Sequence, residues 1–358
     1  MANLLNFFRN LFHNDVGIDL GTMNTLLYHR GKGVDVAEPT VVAVSSGSNE
    51  VLAVGHEAKQ MLGVNPGTIY AVRPMRNGVI KDPGVTDKML RKFLEKKANP
   101  IYTAKIRAVV AVPSVITVVE SQAVVECVRR AGASEVRLVE EPLAAANGAG
   151  LPIEEPTANM IADIGGGTTE IAIISLGGIV HCNSVPVAGD AMDDAITRHM
   201  KDVHNLSIGE LEAEKIKIQI GSAIPFAKMG DGCDEKTMIV RGLKLGHHGD
   251  NLPSSVTVNS EEIRNALREP IEEIAKAMQA TLSAARPELA GNLVNNGITI
   301  TGGGSNLPGL DLLLSERFHM IVHKDEDPMR AVIKGVGKFI EDGSIFEHPQ
   351  AKLVGINV

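Results

Sequence analysis

One pattern occurs twice in this chain of 358 residues, and it fixes most of what the chain can fold into. The first copy reads Val16-Gly17-Ile18-Asp19-Leu20-Gly21-Thr22-Met23-Asn24-Thr25. The second reads Met160-Ile161-Ala162-Asp163-Ile164-Gly165-Gly166-Gly167-Thr168-Thr169-Glu170. Each passes from an apolar strand to an Asp, an apolar residue, a Gly and a hydroxyl-rich turn. Each then enters a second apolar run, Leu26-Leu27-Tyr28 in one case and Ile171-Ala172-Ile173-Ile174 in the other. A repeat on this scale implies a duplicated domain. Two such hairpins facing each other would clamp a polyphosphate between two halves of one molecule.

The turn chemistry fits that purpose. Glycine lets the backbone approach a phosphate closely. Successive backbone N–H groups in such a turn form an anion-binding concavity, and Thr and Asn add side-chain donors. An Asp at each strand end can hold Mg²⁺ through water, because Mg²⁺ keeps much of its hydration shell. The plainer reading of one Gly-Gly-Gly-Thr-Thr is an ordinary tight hairpin. Two copies with the Asp in register argue against it. No Gly-x-x-x-x-Gly-Lys-Ser/Thr occurs, so a P-loop is not expected.

Length suits two domains, each able to bury its own core. A net charge of −8 with no Lys/Arg run argues against nucleic acid as a partner. Cys127, Cys182 and Cys233 are far apart and without metal spacing, which points to a reduced cytosol. His247-His248 reads as a surface turn rather than a metal site. No run approaches 18 apolar residues, so no spanning helix is expected.

Strands and helices alternate, as in an α/β fold. Residues 106–112 read as a strand ended by Pro113, 117–131 as a helix and 136–139 as the next strand. Pro142 opens a short helix. Residues 189–203 and 207–220 read as helices, the second with Ser207 as N-cap. Residues 221–258 look like a small β-rich insertion. A long helix opens at Ser260, with Pro270 expected to kink it. Residues 298–300 form a strand, and 328–341 a last helix.

These motifs together resemble the actin-like ATPase superfamily and, within it, the MreB family of bacterial cell-shape filament proteins. Ile18-Asp19-Leu20-Gly21-Thr22-Met23-Asn24-Thr25 resembles the first phosphate motif, and Asp163 to Glu170 the second. Glu140-Glu141-Pro142-Leu143 and Thr301-Gly302-Gly303-Gly304-Ser305 are similar too. Arg73-Pro74-Met75-Arg76-Asn77-Gly78 and the chain length narrow the likeness to MreB. The match is collinear from about Asp15 to about Asp342.

The resemblance implies an α/β actin-like ATPase fold: two duplicated ribonuclease H-like domains with small inserted subdomains around a nucleotide cleft. It places 13–38, 84–155 and 326–358 in subdomain IA and 39–83 in IB. It places 156–188 and 259–325 in IIA, and 189–258 in IIB. It implies ATP and Mg²⁺ as cofactors and a slow, assembly-coupled ATPase. Backbone groups of Gly21, Thr22, Met23, Asn24, Gly165, Gly166 and Gly167 are expected to hold the phosphates. Asp19 and Asp163 are expected to position Mg²⁺ and its waters. Glu141 is expected to orient the attacking water, assisted by Thr168. Alternation would put Glu140 on the opposite strand face from Glu141. Glu214 and Lys217 share a helix face and are expected at the adenosine, the plainer reading being a surface ion pair. Gly302, Gly303 and Gly304 are expected against adenosine and α-phosphate, and Gly189 at the ribose edge.

The first twelve residues are the second informative region. Leu4, Leu5, Phe7, Phe8, Leu11 and Phe12 fall on one side of a helical wheel, and Asn3, Asn6, Arg9, Asn10 and His13 on the other. There is no basic start, continuous apolar core or cleavage site, so a secretory signal is not expected. The segment resembles the amphipathic membrane anchor of many MreB proteins. The alternative is a terminal helix docked on the protein's own core. Ile101-Tyr102 is either a second lipid contact or a loop end turned inward. Expected partners are other copies of the chain, the cytoplasmic surface of the inner membrane, and cell-wall elongation membrane proteins.

Some positions depart from the family pattern. Met23 stands where Ala is usual, which crowds the first turn. Residues 113–115 lack a Gly, and Glu120-Ser121-Gln122 lacks paired Arg residues, on the helix that relatives use in protofilament pairing. Residues 210–213 carry extra negative charge near the expected adenosine. Rival readings on the same fold are a small-molecule kinase, a chaperone ATPase of the DnaK type, and a magnetosome or plasmid-segregating actin.

Overall fold

The computed structural model describes residues 13–48, 50–64, 66–97, 105–230, 234–245 and 251–347. The first repeat folds as an antiparallel meander of β1 (His13–Leu20), β2 (Asn24–His29) and β3 (Gly33–Pro39). A small sheet follows, of β4 (Val42–Ser45), β5 (Val51–Val54) and β6 (Ile69–Val72) in the order β5-β4-β6. Then comes the short hairpin β7 (Met75–Arg76) and β8 (Val79–Ile80). Its turn residues Asn77 and Gly78 have φ 51° and 72°, the paired left-handed conformations that a two-residue hairpin demands. Next, β9 (Lys105–Val112) and β10 (Ala133–Glu140) add in parallel beyond β1. The sheet order is β10-β9-β1-β2-β3. Parallel strands need a crossover. Here it is the helix Val118–Ala131, opened by a capping box in which Thr117 and Glu120 satisfy each other's backbone N–H groups.

The second half repeats this plan. The meander is β11 (Asn159–Ile164), β12 (Thr169–Ser175) and β13 (Gly178–Val185). An insertion again follows the third strand. It holds the helices Gly189–His204 and Glu210–Ile220 and a sheet of β14 (Leu206–Ser207), β15 (Thr237–Lys244) and β16 (Leu252–Asn259). The long helix Ser260–Ser283 leads back, and β17 (Ile298–Thr301) and β18 (Val322–Lys324) add in parallel. The order is β13-β12-β11-β17-β18, strand for strand that of the first sheet. Register repeats too: Leu20 pairs with Thr25, and Ile164 with Thr169, so each hairpin spans four turn residues.

Period-2 alternation divides the cores. Ala108, Val110 and Val112 face a cluster with Phe93, Leu90 and Val128, while Val109 and Ala111 face the opposite way. Met160, Ala162 and Ile164 face the helices of the second half, while Ile161 turns to the same middle layer as Val109. That middle layer joins the halves. It consists of the helices Glu141–Gly148 and Ala331–Asp342, with Leu143, Val336 and Ile340 buried between the two sheets. Both sheet faces are therefore covered, which explains the near-continuous apolar strands.

Several local expectations change. Ser207 is not an N-cap; it lies in β14 opposite Leu243, and Gly209 precedes the helix Glu210–Ile220. The long helix opens at Ser260 as expected, capped by Asn259, whose Oδ1 accepts from Glu262 N at 2.9 Å, and Pro270 lies inside it. The last long helix begins at Ala331, after a 3₁₀ turn at Pro328–Arg330. No helix among the described residues is long and apolar enough to cross a membrane. The apolar face of residues 1–12, Ile101-Tyr102, Cys233 and His247-His248 lie outside the described residues.

Candidate functional site

The two hairpin turns meet across a cavity of about 410 Å³. Met23 lies against Gly166 so closely that a Cβ added there would stand 2.2 Å from Met23 Cγ. Only glycine admits this approach without displacing Met23. Thr22 Oγ1 accepts the Gly78 N–H at 3.0 Å, tying the first turn to the β7–β8 hairpin. On the other side Gly189 N donates to Gly165 O at 3.2 Å and Asp190 N to Gly166 O at 2.7 Å. The helix Gly189–His204 thus starts on the second turn.

The cleft residues expected from sequence all line this cavity. They are the turns 21–24 and 165–168, Asp19, Asp163, Glu141, Gly189, Glu214, Lys217 and the turn 302–304. Glu141 and Glu140 are not opposite faces of one strand. Glu140 ends β10, and Glu141 opens the next helix, which swings it into the cavity.

Four carboxylates converge here. Burial pushes Asp19 from its ordinary 3.8 up to about 7. Burial, then the charges of Asp19 and Glu170, push Asp163 up to about 8. Glu141 is raised well above its usual value by burial first, then by Glu170, Asp19 and Asp163. Glu170 is also raised by burial, although donors fix it as an acceptor: Ser114 N at 3.2 Å, and the Ser184 hydroxyl. No lysine or arginine pairs with Asp19, Glu141 or Asp163 among the described residues. Like charges gathered in low dielectric, without a protein counter-ion, are suited to a cation from outside.

Glu170 carried no role in the sequence reading. The signal was a carboxylate opening an otherwise apolar strand, directly across from Asp163 in the hairpin register. Glu214 and Lys217 do not pair with each other. Lys217 Nζ donates to Gly189 O and to Asp193 Oδ2, both at 2.8 Å. Glu214 accepts from Lys59 Nζ at 2.7 Å, and Arg73 Nε donates to Glu210 at 2.7 Å. Lys59 and Arg73 come from the first half, so two ion pairs bridge the mouth of the cleft. Sequence periodicity within one helix holds no trace of partners from another domain.

Two duplicated domains closing on one acid-lined, glycine-walled cleft define an actin-like nucleotide-binding fold. The family model of the MreB/Mbl protein matches residues 13–348. The cell shape-determining protein MreB of Escherichia coli K12 is 45% identical over 343 residues, 94% of this chain and 96% of its own length. The cell shape-determining protein Mbl of Bacillus subtilis 168 is 42% identical over 332 residues, 93% of this chain and 97% of its own. The crystal structure of MreB5 of Spiroplasma citri bound to AMPPNP superposes with a TM-score of 0.87 at 33% identity, covering 94% of this chain and 99% of that one. A MamK double helical filament shares the fold, with a TM-score of 0.74 at 20% identity, covering 92% of this chain and 99% of that one. The chain belongs to the MreB/Mbl family of cell shape-determining proteins.

Proposed function

We propose that this chain is an actin-like filament protein that binds ATP with Mg²⁺ in the cleft, hydrolyses it slowly, and assembles on the cytoplasmic face of the inner membrane to guide cell-wall elongation. The observation that carries this reading is the convergence of both repeated turns and four carboxylates on one cavity. The solved relative from Spiroplasma citri was crystallised with AMPPNP and with ADP, which supports a nucleotide there.

The backbone N–H groups of turns 21–24 and 165–167 would hold the β- and γ-phosphates, from opposite domains. Asp19 and Asp163 fit a hydrated Mg²⁺: they are buried, raised in pKa and without a protein cation. When bound, that ion would supply charge neutralisation for the transferred phosphoryl group. Glu141 orients the attacking water and accepts its proton, and Thr168 helps place it. Glu170, oriented by Ser114 and Ser184, lies beside Glu141 and adds to the forces that raise its proton affinity. Glu214, Lys217, Gly189 and residues 302–304 form the nucleoside end. The four subdomains, with the boundaries given from the resemblance, belong to this reading, as do the membrane anchor of residues 1–12 and the elongation partners. The test is Glu141→Ala. Phosphate release should fall about 100-fold, with nucleotide binding retained. Unchanged release would remove Glu141 from the reaction.

A further inference from the structure

The helix Gly189–His204 begins at the cleft and ends in a cluster that the cleft does not use. Residues 199 and 204 are five apart, which on a continuing helix sets side chains about 140° apart. Here the helix stops at His204 and Asn205 turns left-handed, with φ 50° and ψ 32°. The two imidazole rings come together, their centroids 6.1 Å apart at 70°. Both Nε2 atoms face one oxygen. His199 Nε2 is 2.7 Å from Glu262 Oε1, and His204 Nε2 contacts the same atom. Glu262 stands in the first turn of Ser260–Ser283, where its backbone N–H donates to Asn259 Oδ1 at 2.9 Å. The helix dipole favours a carboxylate there. Burial draws its pKa up, but the hydrogen bonds and charges of the two histidines together hold it below the usual value. The three side chains are 19–22% exposed, enough for an ion to enter.

We propose that His199, His204 and Glu262 form a site for one borderline divalent transition-metal ion of the Zn²⁺ class. It would fasten the far end of the cleft-facing helix to the long helix of the second half. Two imidazoles and a carboxylate are a donor set such ions accept, at bond lengths of about 2.0–2.2 Å, leaving positions for water. The three donor atoms lie within 4.8 Å of one another. Tetrahedral coordination separates donors by about 3.3–3.5 Å, so both contacts to Glu262 Oε1, the His204 one more than the His199 one, would open by roughly 1 Å through side-chain rotation. Mg²⁺ prefers oxygen ligands, so this site would not compete for the cleft cation.

The experiment uses the full chain, stripped with a chelator and dialysed against Zn²⁺ in excess Mg²⁺, with metal content and affinity measured. His204→Gln and Glu262→Gln are compared with the wild type, and Co²⁺ is substituted for its visible spectrum. The expected result is one retained equivalent, binding at least about 10-fold weaker in either variant, and Co²⁺ bands of a nitrogen–oxygen site. No retained metal, equal affinity in the variants, or a thiolate charge-transfer band from a cysteine site would overturn the proposal. Equal affinity or no retention would leave a hydrogen-bonded bridge alone. Should these variants lose nucleotide binding and so their fold, His199→Asn takes their place, and Zn²⁺ affinity equal to the wild type in it would overturn the proposal.

Discussion

Asp163 sits where burial and two neighbouring carboxylates all oppose its charge. This has a consequence for stability. In the unfolded chain it ionises near 3.8, in the folded chain only near about 8, and Asp19 near about 7. Folding therefore takes up protons, and these groups cost stability progressively as pH rises through that window. Without Mg²⁺ the thermal midpoint of the wild type should fall between pH 6 and 8. Asp163→Asn should flatten the fall and raise the midpoint at pH 8 by at least about 2 °C, while losing the Mg²⁺-dependent gain with nucleotide. Differential scanning fluorimetry at fixed ionic strength checks both, and parallel pH curves for the two proteins would contradict the assignment. At this scale Asp19, Asp163 and Glu141 were legible because each stands at a fixed offset from a glycine or proline within one motif. Glu170 was not, because its role comes from the hairpin register and from Ser114 and Ser184 on other elements. The seat of Met23 on Gly166 of the other half was not legible either, because the two residues lie in different repeats.

The elements that join the halves are the helices Glu141–Gly148 and Ala331–Asp342, and they touch backbone to backbone. A Cβ on Gly335 would lie 1.8 Å from Ala144 O, and one on Gly148 would lie 1.8 Å from Ala331 O. Asn147 Nδ2 also donates to Gly335 O at 3.3 Å. Neither backbone can yield without moving a whole helix. Gly335→Ala should therefore cost about 3 kcal/mol or more. Gly291→Ala is the control, since it lies in the helix Pro287–Asn296 with open space around it and should gain about 0.5–1 kcal/mol. Chemical denaturation of the two variants checks the pair; equal effects would contradict the close crossing. Strands and long helices were legible here because apolar period and Pro or Gly punctuation are local signals. Ser207 misled because its hydroxyl matches a cap chemically, whereas pairing with Leu243 on β15 claims its backbone. The helix-joining glycines gave no sequence signal, because their partner lies almost two hundred residues away.

At the scale of the molecule, duplication was the most legible feature: two sheets with one strand order, each with its insertion after the third strand. How the halves close was illegible, because Lys59–Glu214 and Arg73–Glu210 join residues 155 and 137 apart in sequence. The proposed membrane anchor of residues 1–12 belongs to this scale as well. Each large apolar side chain gives at most about 1.5–3 kcal/mol when fully buried, and ordering a short helix offsets much of that. One such anchor would bind weakly, whereas a filament carrying many would bind by avidity. Phe8→Glu should leave nucleotide affinity unchanged and release filaments from anionic liposomes; pelleting with lipid at the wild-type level would contradict it. The most direct measurement of the whole account is sedimentation and negative-stain microscopy with Mg²⁺-ATP on anionic liposomes, with phosphate release followed in wild type and Glu141→Ala. Nucleotide-dependent filaments on lipid are expected, with phosphate release lost in the variant. Absence of polymer under every condition, with ATP turnover stimulated by a small metabolite, would contradict it and make the chain a kinase on this fold.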